Sequence, residues 1–262
     1  MFKRAFIVGA AAAAGVGIGV SKARAEFRSW GIDPEAQARR LPGDELVPGA
    51  EAIDTRSLTI AAAPEAVWPW LVQMGYGRAG WYSWDQLDMN VQSADRIVPE
   101  LQDLQVGDIV PTHPGGGFEV RILEPGHALV LYADRELIEA QAKAMPHGVD
   151  DASTNVRATG LYLEKTMQGD FQASWAFIVE PDGEGGTRLI ERFRGHMAPA
   201  PAADGATKPM PKLAGPMLLF GLFVMVRRQL QGIRDRAEGR PIAATWFTNL
   251  LPKAPAARPI PG

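Results

Sequence analysis

The sequence predicts an α+β domain in which one antiparallel sheet packs against helices, the longest of them near the C-terminal end. Three observations lead to this prediction. A strand and a helix open the domain, strand-like segments joined by short turns follow, and a long, largely apolar helix closes it. Composition agrees, since 46% of the 262 residues are hydrophobic and 22% are charged, which suffices for a globular core.

The opening strand and helix are predicted from residue type and spacing. Residues 53–60 are rich in Thr and Ile, and Ala-Ala-Pro follows as a stop. Pro64 suits the first turn of a helix, apolar residues then recur at helical spacing as far as Met74, and glycines at 75 and 77 end it. A second, short helix is predicted over residues 83–89.

The middle of the chain has the pattern of an antiparallel meander. The segments "VGDIVPT", "FEVRILE" and "ALVLYAD" have strand character, and "HPGGG" and "PGH" between them are typical of turns. A helix over residues 135–144 and a polar loop to about residue 159 interrupt the meander. Strands are predicted again in "GLYLEKT" and in the hairpin "FQASWAFIVEPDGEGGTRLIERFRG". A long helix is predicted over residues 213–238.

The first 25 residues have the pattern of a targeting segment. Lys3 and Arg4 precede an uncharged run over residues 5–20, and Ala-Arg-Ala at 23–25 resembles a signal-peptide cleavage site. A signal peptide is favoured because the run is short and alanine-rich for a membrane span. Positive charges after the run oppose translocation, so an uncleaved anchor stays open. Export, or tethering to the membrane by this segment, is therefore expected.

The chain divides into four parts. They are a signal peptide or anchor at 1–25, an extension at 26–50, the domain at 51–239 with a helical insertion at 134–159, and a Pro/Ala-rich tail at 240–262.

Composition excludes several kinds of site. A net charge of −3 gives no basic face for a nucleic-acid partner, and the absence of cysteine excludes thiolate ligands and disulfides. The histidines have no metal-binding spacing and are expected in solvated loops; they are His113, His127, His147 and His196. "HPGGG" lacks the Lys and Ser/Thr of a phosphate loop. No metal and no cofactor is predicted.

Several motifs in order resemble a bacterial branch of the START-like, or SRPBCC, superfamily, which includes polyketide cyclases and lipid-transfer domains. They are "IAAAPEAVWPWLVQMGYGRAGWYSWDQLD", "SADRIVPELQDLQVGD", "WAFIVEP…GGTRLIERFR" and "FVMVRRQLQGIRDRAE". The resemblance covers roughly residues 42–238. It implies a helix-grip fold, in which a curved antiparallel sheet wraps around the long C-terminal helix and encloses a cavity. One scaffold of this kind hosts both binding proteins and enzymes.

The tryptophan-rich segment 68–84 provides the first candidate residues. Trp68 and Trp70 lie on the predicted helix and are interpreted as core anchors. Trp81, Tyr82 and Trp84 follow in an irregular, glycine-rich segment, where flat rings at a cavity mouth could contact an apolar ligand.

Charged residues close to this segment are further candidates. Asp85 could act as a general base or orient the polar end of a ligand, and Arg96 could take part with it. A structural ion pair involving Asp85, Asp95 and Arg96 is the favoured interpretation.

The predicted C-terminal hairpin places its side chains alternately on two faces. Trp175 and Phe177 share one face, and Glu191 falls on the inward face of its strand, where a carboxylate demands a partner. Arg192 and Arg194 would then point outward or cover an adjacent element.

These observations leave three functions open. Binding or transport of a hydrophobic small molecule, lipid or polyketide-like, is favoured. A cyclase or dehydratase using Asp85, Glu191 or a nearby tyrosine as acid–base is the rival, without an assigned catalytic residue. A filled scaffold for protein contacts is the third. Helix 135–144 is a candidate lid. Ligand identity and oligomeric state stay open.

Overall fold

The computed structural model describes residues 26–88, 91–113, 116–144, 170–198 and 214–242, and for 214–218 the backbone alone. The strands are β1 (Ala52–Ile60), β2 (Ile109–His113), β3 (Gly116–Glu124), β4 (Ala128–Asp134), β5 (Phe171–Pro181) and β6 (Thr187–Met197). The helices are α1 (Pro34–Ala38), α2 (Pro64–Val72), α3 (Asp85–Asp88), α4 (Arg135–Ala144) and α5 (Ala214–Ala237), with 3-10 turns at Asp44–Leu46 and Pro99–Leu101.

The strands form one antiparallel sheet in the order β1-β6-β5-β4-β3-β2. The predicted α+β class, the meander of β2 to β4 and the β5–β6 hairpin are therefore confirmed. The pairing register shifts between Pro111 and His113 and between Val120 and Ile122. Irregularities of this kind bend a strand and increase its twist, so they shape the β2–β4 side of the sheet.

One face of the sheet, called here the inner face, carries the main hydrophobic core. Trp175, Phe177 and Val179 alternate onto this face, as the sequence predicts. Leu230 and Ile233 of α5 belong to the same cluster, and α2 packs against both α5 and β5. The two helices thus cover much of the inner face.

Helix α2 begins where the sequence predicts and ends earlier. Pro64 occupies its first turn, but the helix stops at Val72, before the glycines expected to end it. The side chain of Gln73, which is fully buried, explains the stop. Its Oε1 accepts from the Val98 amide at 2.9 Å and its Nε2 donates to the Tyr82 hydroxyl at 2.9 Å. Gln73 therefore ties the segment after α2 to the core.

The opposite, outer face of the sheet is covered by residues 26–50. Leu41 is buried there in a cluster with Val130, Ile178 and Ile190, and Leu46 packs against the cluster. The extension predicted as a chain with turns is therefore part of the folded core in the structure.

Arg192 anchors this cover. Its guanidinium donates to the carbonyls of Gln37 at 2.6 Å and Arg39 at 2.8 Å, to Asp44 Oδ2 at 2.7 Å and to Thr55 Oγ1 at 3.0 Å. Because all these partners lie within hydrogen-bonding distance, the buried charge is well compensated. Of the two predicted orientations, Arg192 has the one that covers an adjacent element.

The extension also contacts the free edge of β1 at Ser57. The Ser57 amide donates to the Trp30 carbonyl at 3.0 Å, and Ser57 Oγ donates to the Gly31 carbonyl at 2.5 Å. Further along, Phe27 stacks on Phe223 of α5 with ring centroids 4.8 Å apart. These contacts cover part of this edge, and a covered edge is less open to pairing with another chain.

Helix α5 runs close to the segment that leaves α2. A Cβ added at Gly232 would lie 2.1 Å from the Tyr82 carbonyl oxygen, so the absence of a side chain permits this approach. Arg236 reinforces it, with its guanidinium 4.5 Å from the centre of the Tyr82 ring. The long C-terminal helix is confirmed with nearly the predicted bounds.

Several predictions lie outside the described residues. They are the segment at 1–25, the strand in "GLYLEKT", His147, and most of the tail at 240–262. In the described part of the chain, no helix combines the length and hydropathy needed to cross a membrane.

Candidate functional site

A pocket of about 600 Å³ lies on the inner face, between the sheet, α3 and α5. Most of its lining is apolar: Trp81, Phe118, Trp175, Phe193, Met225 and Val226. Two exposed leucines also line it, Leu87 at 59% and Leu222 at 45% exposure. A pocket of this size and lining is suited to a small apolar molecule, and the two leucines give it an apolar rim.

A stacked pair of tryptophans forms part of the lining. The rings of Trp81 and Trp175 stack with centroids 5.1 Å apart and planes inclined at 19°. Phe177 lies against Trp175 at 5.1 Å and Phe118 approaches it edge-on at 6.1 Å. The irregular segment after α2 thus brings Trp81 onto a residue of β5, and the packed rings fix the shape of this wall.

Glu191 contributes a carboxyl group to the same pocket, from β6. Trp175 Nε1 donates to its Oε1 at 2.8 Å, and Arg56 Nη1 donates to its Oε2 at 3.2 Å. The partner that an inward carboxylate demands is therefore present. Burial raises the pKa of Glu191 to about 7, although Arg56 and the Trp175 N–H act to lower it.

Arg56 is itself held behind Glu191, away from solvent. Its Nε donates to the Phe27 carbonyl at 2.7 Å and its Nη2 lies 3.4 Å from Asp54. Burial raises the pKa of Asp54, while Arg56 and Arg28 act to lower it. Two carboxyl groups thus face one buried guanidinium, and Arg28 approaches Asp54 from the surface at 3.6 Å.

Asp88, on α3, brings a second carboxyl group to the pocket. Burial, and next the charge of Asp85, raise the pKa of Asp88 to about 7, while a hydrogen bond with Ser83 acts to lower it. Its Oδ2 is buried and has no hydrogen-bond partner among the described residues. Asp88 is thus an acid that is easily kept neutral near physiological pH.

Gln229 of α5 is the buried amide of the site. It is 2% exposed and lines the pocket. Its Nε2 makes one contact in the described structure, 3.7 Å to the Met74 sulfur, which is a weak acceptor. The amide is therefore available to a bound molecule.

The predicted site residues separate into two groups. Trp81, Trp175 and Glu191 line the pocket, and Phe177 lies fully buried against Trp175. The remaining four are not among its lining residues: Tyr82, Trp84, Asp85 and Arg96. Of the three rings after α2 that were predicted at a cavity mouth, Trp81 is among the pocket's lining residues, and Tyr82 and Trp84 are not.

Tyr82 belongs to the core. Its hydroxyl donates to the Trp70 carbonyl at 3.1 Å and accepts from Gln73, and the side chain is 1% exposed. Its backbone has a φ of 59°, which turns the chain so that Trp81 and Tyr82 point to different surroundings. Burial raises its pKa, so it is a poor acid at neutral pH.

The other candidates that lie outside the pocket lining make contacts within the protein or at its surface. Asp85 Oδ1 accepts from Ser93 Oγ at 2.6 Å, and the same hydroxyl oxygen accepts from the Tyr82 amide at 3.1 Å. Arg96 is exposed and 3.9 Å from Asp95, the ion pair favoured from the sequence, while Asp85 has no part in it. Trp84 lies under the Arg228 guanidinium at 5.9 Å.

Two of the histidines predicted in solvated loops lie in strands instead. His113 ends β2 and lines the pocket, and His196 lies in β6 with Nδ1 2.9 Å from Glu51. His127 occupies a turn, as predicted. No group of three or more His, Cys, Asp or Glu suited to a metal ion occurs in the described residues.

Asp88 and Gln229 are polar pocket residues that were not predicted from the sequence. Gln229 follows Met225 and Val226 at helical spacing and is the polar position on an otherwise apolar face, which is a usable signal. Asp88 falls inside the predicted short helix, but spacing alone does not show that Asp88, and not Asp85, faces the pocket.

A second depression, of about 570 Å³, lies on the outer face and is lined by charged side chains. Arg39 pairs there with Glu180 at 2.5 Å, and Arg188 with Asp33 at 3.4 Å. Because these partially exposed charges already face each other, the depression is a weaker candidate than the inner pocket.

No family model matches the chain, and no curated protein matches it. Among solved structures it is similar to a protein from Mesorhizobium loti, with 13% identity over 72% of this chain and 99% of that chain, at a TM-score of 0.36. A conserved protein from Geobacillus kaustophilus has 13% identity over 72% of this chain and 96% of that chain, at a TM-score of 0.34. A point mutant of a Thalictrum norcoclaurine synthase, in complex with a transition-state analogue, has 12% identity over 68% of this chain and 93% of that chain, at a TM-score of 0.25. These values do not assign the chain to a family.

Proposed function

We propose that the protein is a START-like binding protein that holds a hydrophobic small molecule in the inner pocket. The observation that carries the proposal is the pocket itself, about 600 Å³ with an apolar lining that includes a stacked pair of tryptophans. Removal of apolar ligand surface from water supplies about 25 cal/mol per Å² as the driving force. The rigid rings lose little conformational freedom when a ligand arrives.

The rim supports entry of an apolar ligand from outside. Leu87 on α3 and Leu222 on α5 are both exposed and both line the pocket. Large apolar side chains are rarely left in water together without a binding role. A ligand passing between α3 and α5 meets apolar surface from the rim to the tryptophan pair.

The proposal is tested by filling the pocket. The full chain is purified without added ligand and assayed by native mass spectrometry with organic extraction, and by the fluorescence of a neutral apolar probe, N-phenyl-1-naphthylamine. Val226→Phe places a larger side chain in the pocket lining, whereas Val106→Phe changes an exposed valine outside it. We expect probe binding to fall about tenfold or more for Val226→Phe and to persist for Val106→Phe.

Equal probe binding in the two variants, with both folded by circular dichroism, would contradict the proposal. A chain that is empty on extraction and does not bind the probe would favour a filled scaffold for protein contacts.

An enzyme is the second candidate, because two pocket carboxyls, Glu191 and Asp88, have pKa values raised to about 7. Acids in this range can give or take a proton near neutral pH, as a cyclase or dehydratase would require. Asp85, the other sequence candidate, is engaged by Ser93 outside the pocket. Loss of turnover in Asp88→Asn or Glu191→Gln with retained ligand binding would identify catalysis.

Helix α4 remains a proposed lid. It packs on β3 and β4, and Gln141 accepts from the Gly117 amide at 2.9 Å. Phe118 belongs both to the pocket lining and to the cluster beneath Leu137 and Ile138 of α4. Slower amide hydrogen exchange in α4 after ligand addition is the expected result, and unchanged exchange would count against a lid.

Export or membrane tethering through residues 1–25 remains a proposal that rests on their sequence pattern. The mature N-terminus, determined by mass spectrometry of the protein from fractionated cells, would distinguish the two. A chain beginning at residue 26 in the soluble exported fraction would indicate cleavage. An intact chain in the membrane fraction would indicate an anchor.

A further inference from the structure

The polar side chains of the pocket differ in how fully they are paired. Ser83 Oγ donates to the Met225 carbonyl at 3.0 Å, and each Glu191 oxygen accepts one hydrogen bond. Asp88 Oδ2 has no partner among the described residues, and the Gln229 amide reaches only a sulfur. Asp88 and Gln229 therefore have hydrogen-bonding capacity to spare.

Such unpaired groups are unfavourable inside a protein. A buried acceptor or amide gives up its hydrogen bonds to water, and the loss is recovered only when a partner arrives. Asp88 Oδ2 can accept a hydrogen bond when ionised, and the Gln229 amide can both donate and accept. A ligand with a hydroxyl or amine group supplies what both residues lack.

The charged residues around the pocket also favour a ligand without an anionic group. The described lining residues include two carboxyls, Asp88 and Glu191, and one imidazole, His113, but neither lysine nor arginine. Arg56 stands behind Glu191 and already faces both Glu191 and Asp54. An anionic ligand would bring a further negative charge to this wall without meeting an unengaged cation.

We infer that the pocket selects an apolar molecule carrying a hydroxyl or amine group, received by Asp88 and Gln229, and discriminates against molecules with an anionic end. The inference rests on the proposed function and specifies its ligand class. Long-chain alcohols and amines fit this description, whereas free fatty acids and other apolar carboxylates do not.

The test compares four ligands with the same hydrocarbon chain: dodecanol, dodecylamine, methyl dodecanoate and dodecanoate. Each competes with N-phenyl-1-naphthylamine for the full chain at about pH 8, where a carboxyl with a pKa near 7 is ionised. We expect dodecanol and dodecylamine to bind about tenfold more tightly than the methyl ester, which has no donor, and dodecanoate to bind most weakly.

Two variants assign the selectivity to the named residues. Gln229→Met keeps the size of the side chain without its hydrogen bonds, and should reduce the advantage of dodecanol over the ester several-fold while the affinity of the ester persists. Asp88→Asn should weaken dodecylamine and strengthen dodecanoate. Gln231→Met, on the same helix and outside the pocket lining, is the control and should change none of these ratios.

The outcomes separate the inference from the proposed function. Dodecanoate or the ester binding as tightly as dodecanol would overturn the inference and leave a pocket for apolar molecules intact. Unchanged ligand ratios in Gln229→Met and Asp88→Asn would overturn the assignment to these residues. Failure of all four ligands, with N-phenyl-1-naphthylamine also unbound, would overturn the proposed function and the inference with it.

Discussion

Glu191 and Arg192 are neighbours in β6 and lie on opposite faces of the sheet, and both are buried charged residues. On the outer face, Arg192 has a partner for each of its nitrogens and holds the extension. On the inner face, Glu191 borders a pocket and has a pKa raised to about 7. A buried charge that is fully paired is costly to remove, because its partners are left unpaired, whereas a carboxyl close to neutral beside a cavity is suited to binding or proton transfer.

The largest effect is expected on the outer face. Arg192→Ala removes the cation that bonds Asp44 and the donor of two carbonyls of the extension, so the free energy of unfolding should fall by about 3–5 kcal/mol. Urea denaturation measures the change. Arg121→Ala, which removes a partly exposed ion pair with Glu119, should cost less than about 1 kcal/mol. Equal costs would show that burial of Arg192 does not matter.

Glu191 should make stability fall as pH rises. The folded protein keeps its proton up to about pH 7, whereas the unfolded chain releases it near the ordinary value of 4.5, so folding is favoured by protonation. Between these two values the free energy of unfolding should decrease by about 3 kcal/mol from this group. Denaturation of the protein and of Glu191→Gln from pH 5 to pH 8 measures it.

The variant should remove this part of the pH dependence, because a glutamine has no proton to lose. The stability of Glu191→Gln relative to the unchanged protein should therefore rise with pH. Glu136→Gln, at an exposed position on α4, should leave the pH dependence unaltered. Parallel pH curves for the protein and Glu191→Gln would mean that the pKa of Glu191 is not raised.

Two glycines of α5 should respond to alanine in opposite directions. Gly232 lies against the Tyr82 carbonyl, so Gly232→Ala should destabilise the protein by about 1–3 kcal/mol. Apart from its chain neighbours and its own helix backbone, no atom of the described residues lies within 4 Å of a Cβ added at Gly221, so Gly221→Ala should stabilise the helix by up to about 1 kcal/mol. Thermal unfolding measures both changes. A stabilising Gly232→Ala would place α5 farther from Tyr82 than the structure has it.

The sequence predicts regular elements well and the irregular segment poorly. Alternation along β5 and β6 places Trp175 and Glu191 on the inner face, and periodicity locates α4 with its observed bounds. Tyr82 faces the core, where it contacts Gln73 nine residues before it and Arg236 at the far end of the chain. No local pattern contains those contacts.

Local sequence patterns also fail to predict the burial of the extension and the pKa of Asp88 in the pocket. Leu41 and Val47 are apolar, but their burial depends on the outer face of a sheet that forms later in the chain. The pKa of Asp88 depends on burial beneath neighbouring elements and on the nearby charge of Asp85. Such properties follow from tertiary packing, so residue type and spacing alone do not predict them.

The central claim is that the inner face holds a ligand pocket, while the charges of the outer face are structural. A crystal structure of the full chain saturated with dodecanol tests it most directly. The account predicts ligand electron density against Trp81 and Trp175, with the hydroxyl group at Gln229 and Asp88. A pocket occupied by the side chains of the protein itself, or ligand bound only on the outer face, would contradict it.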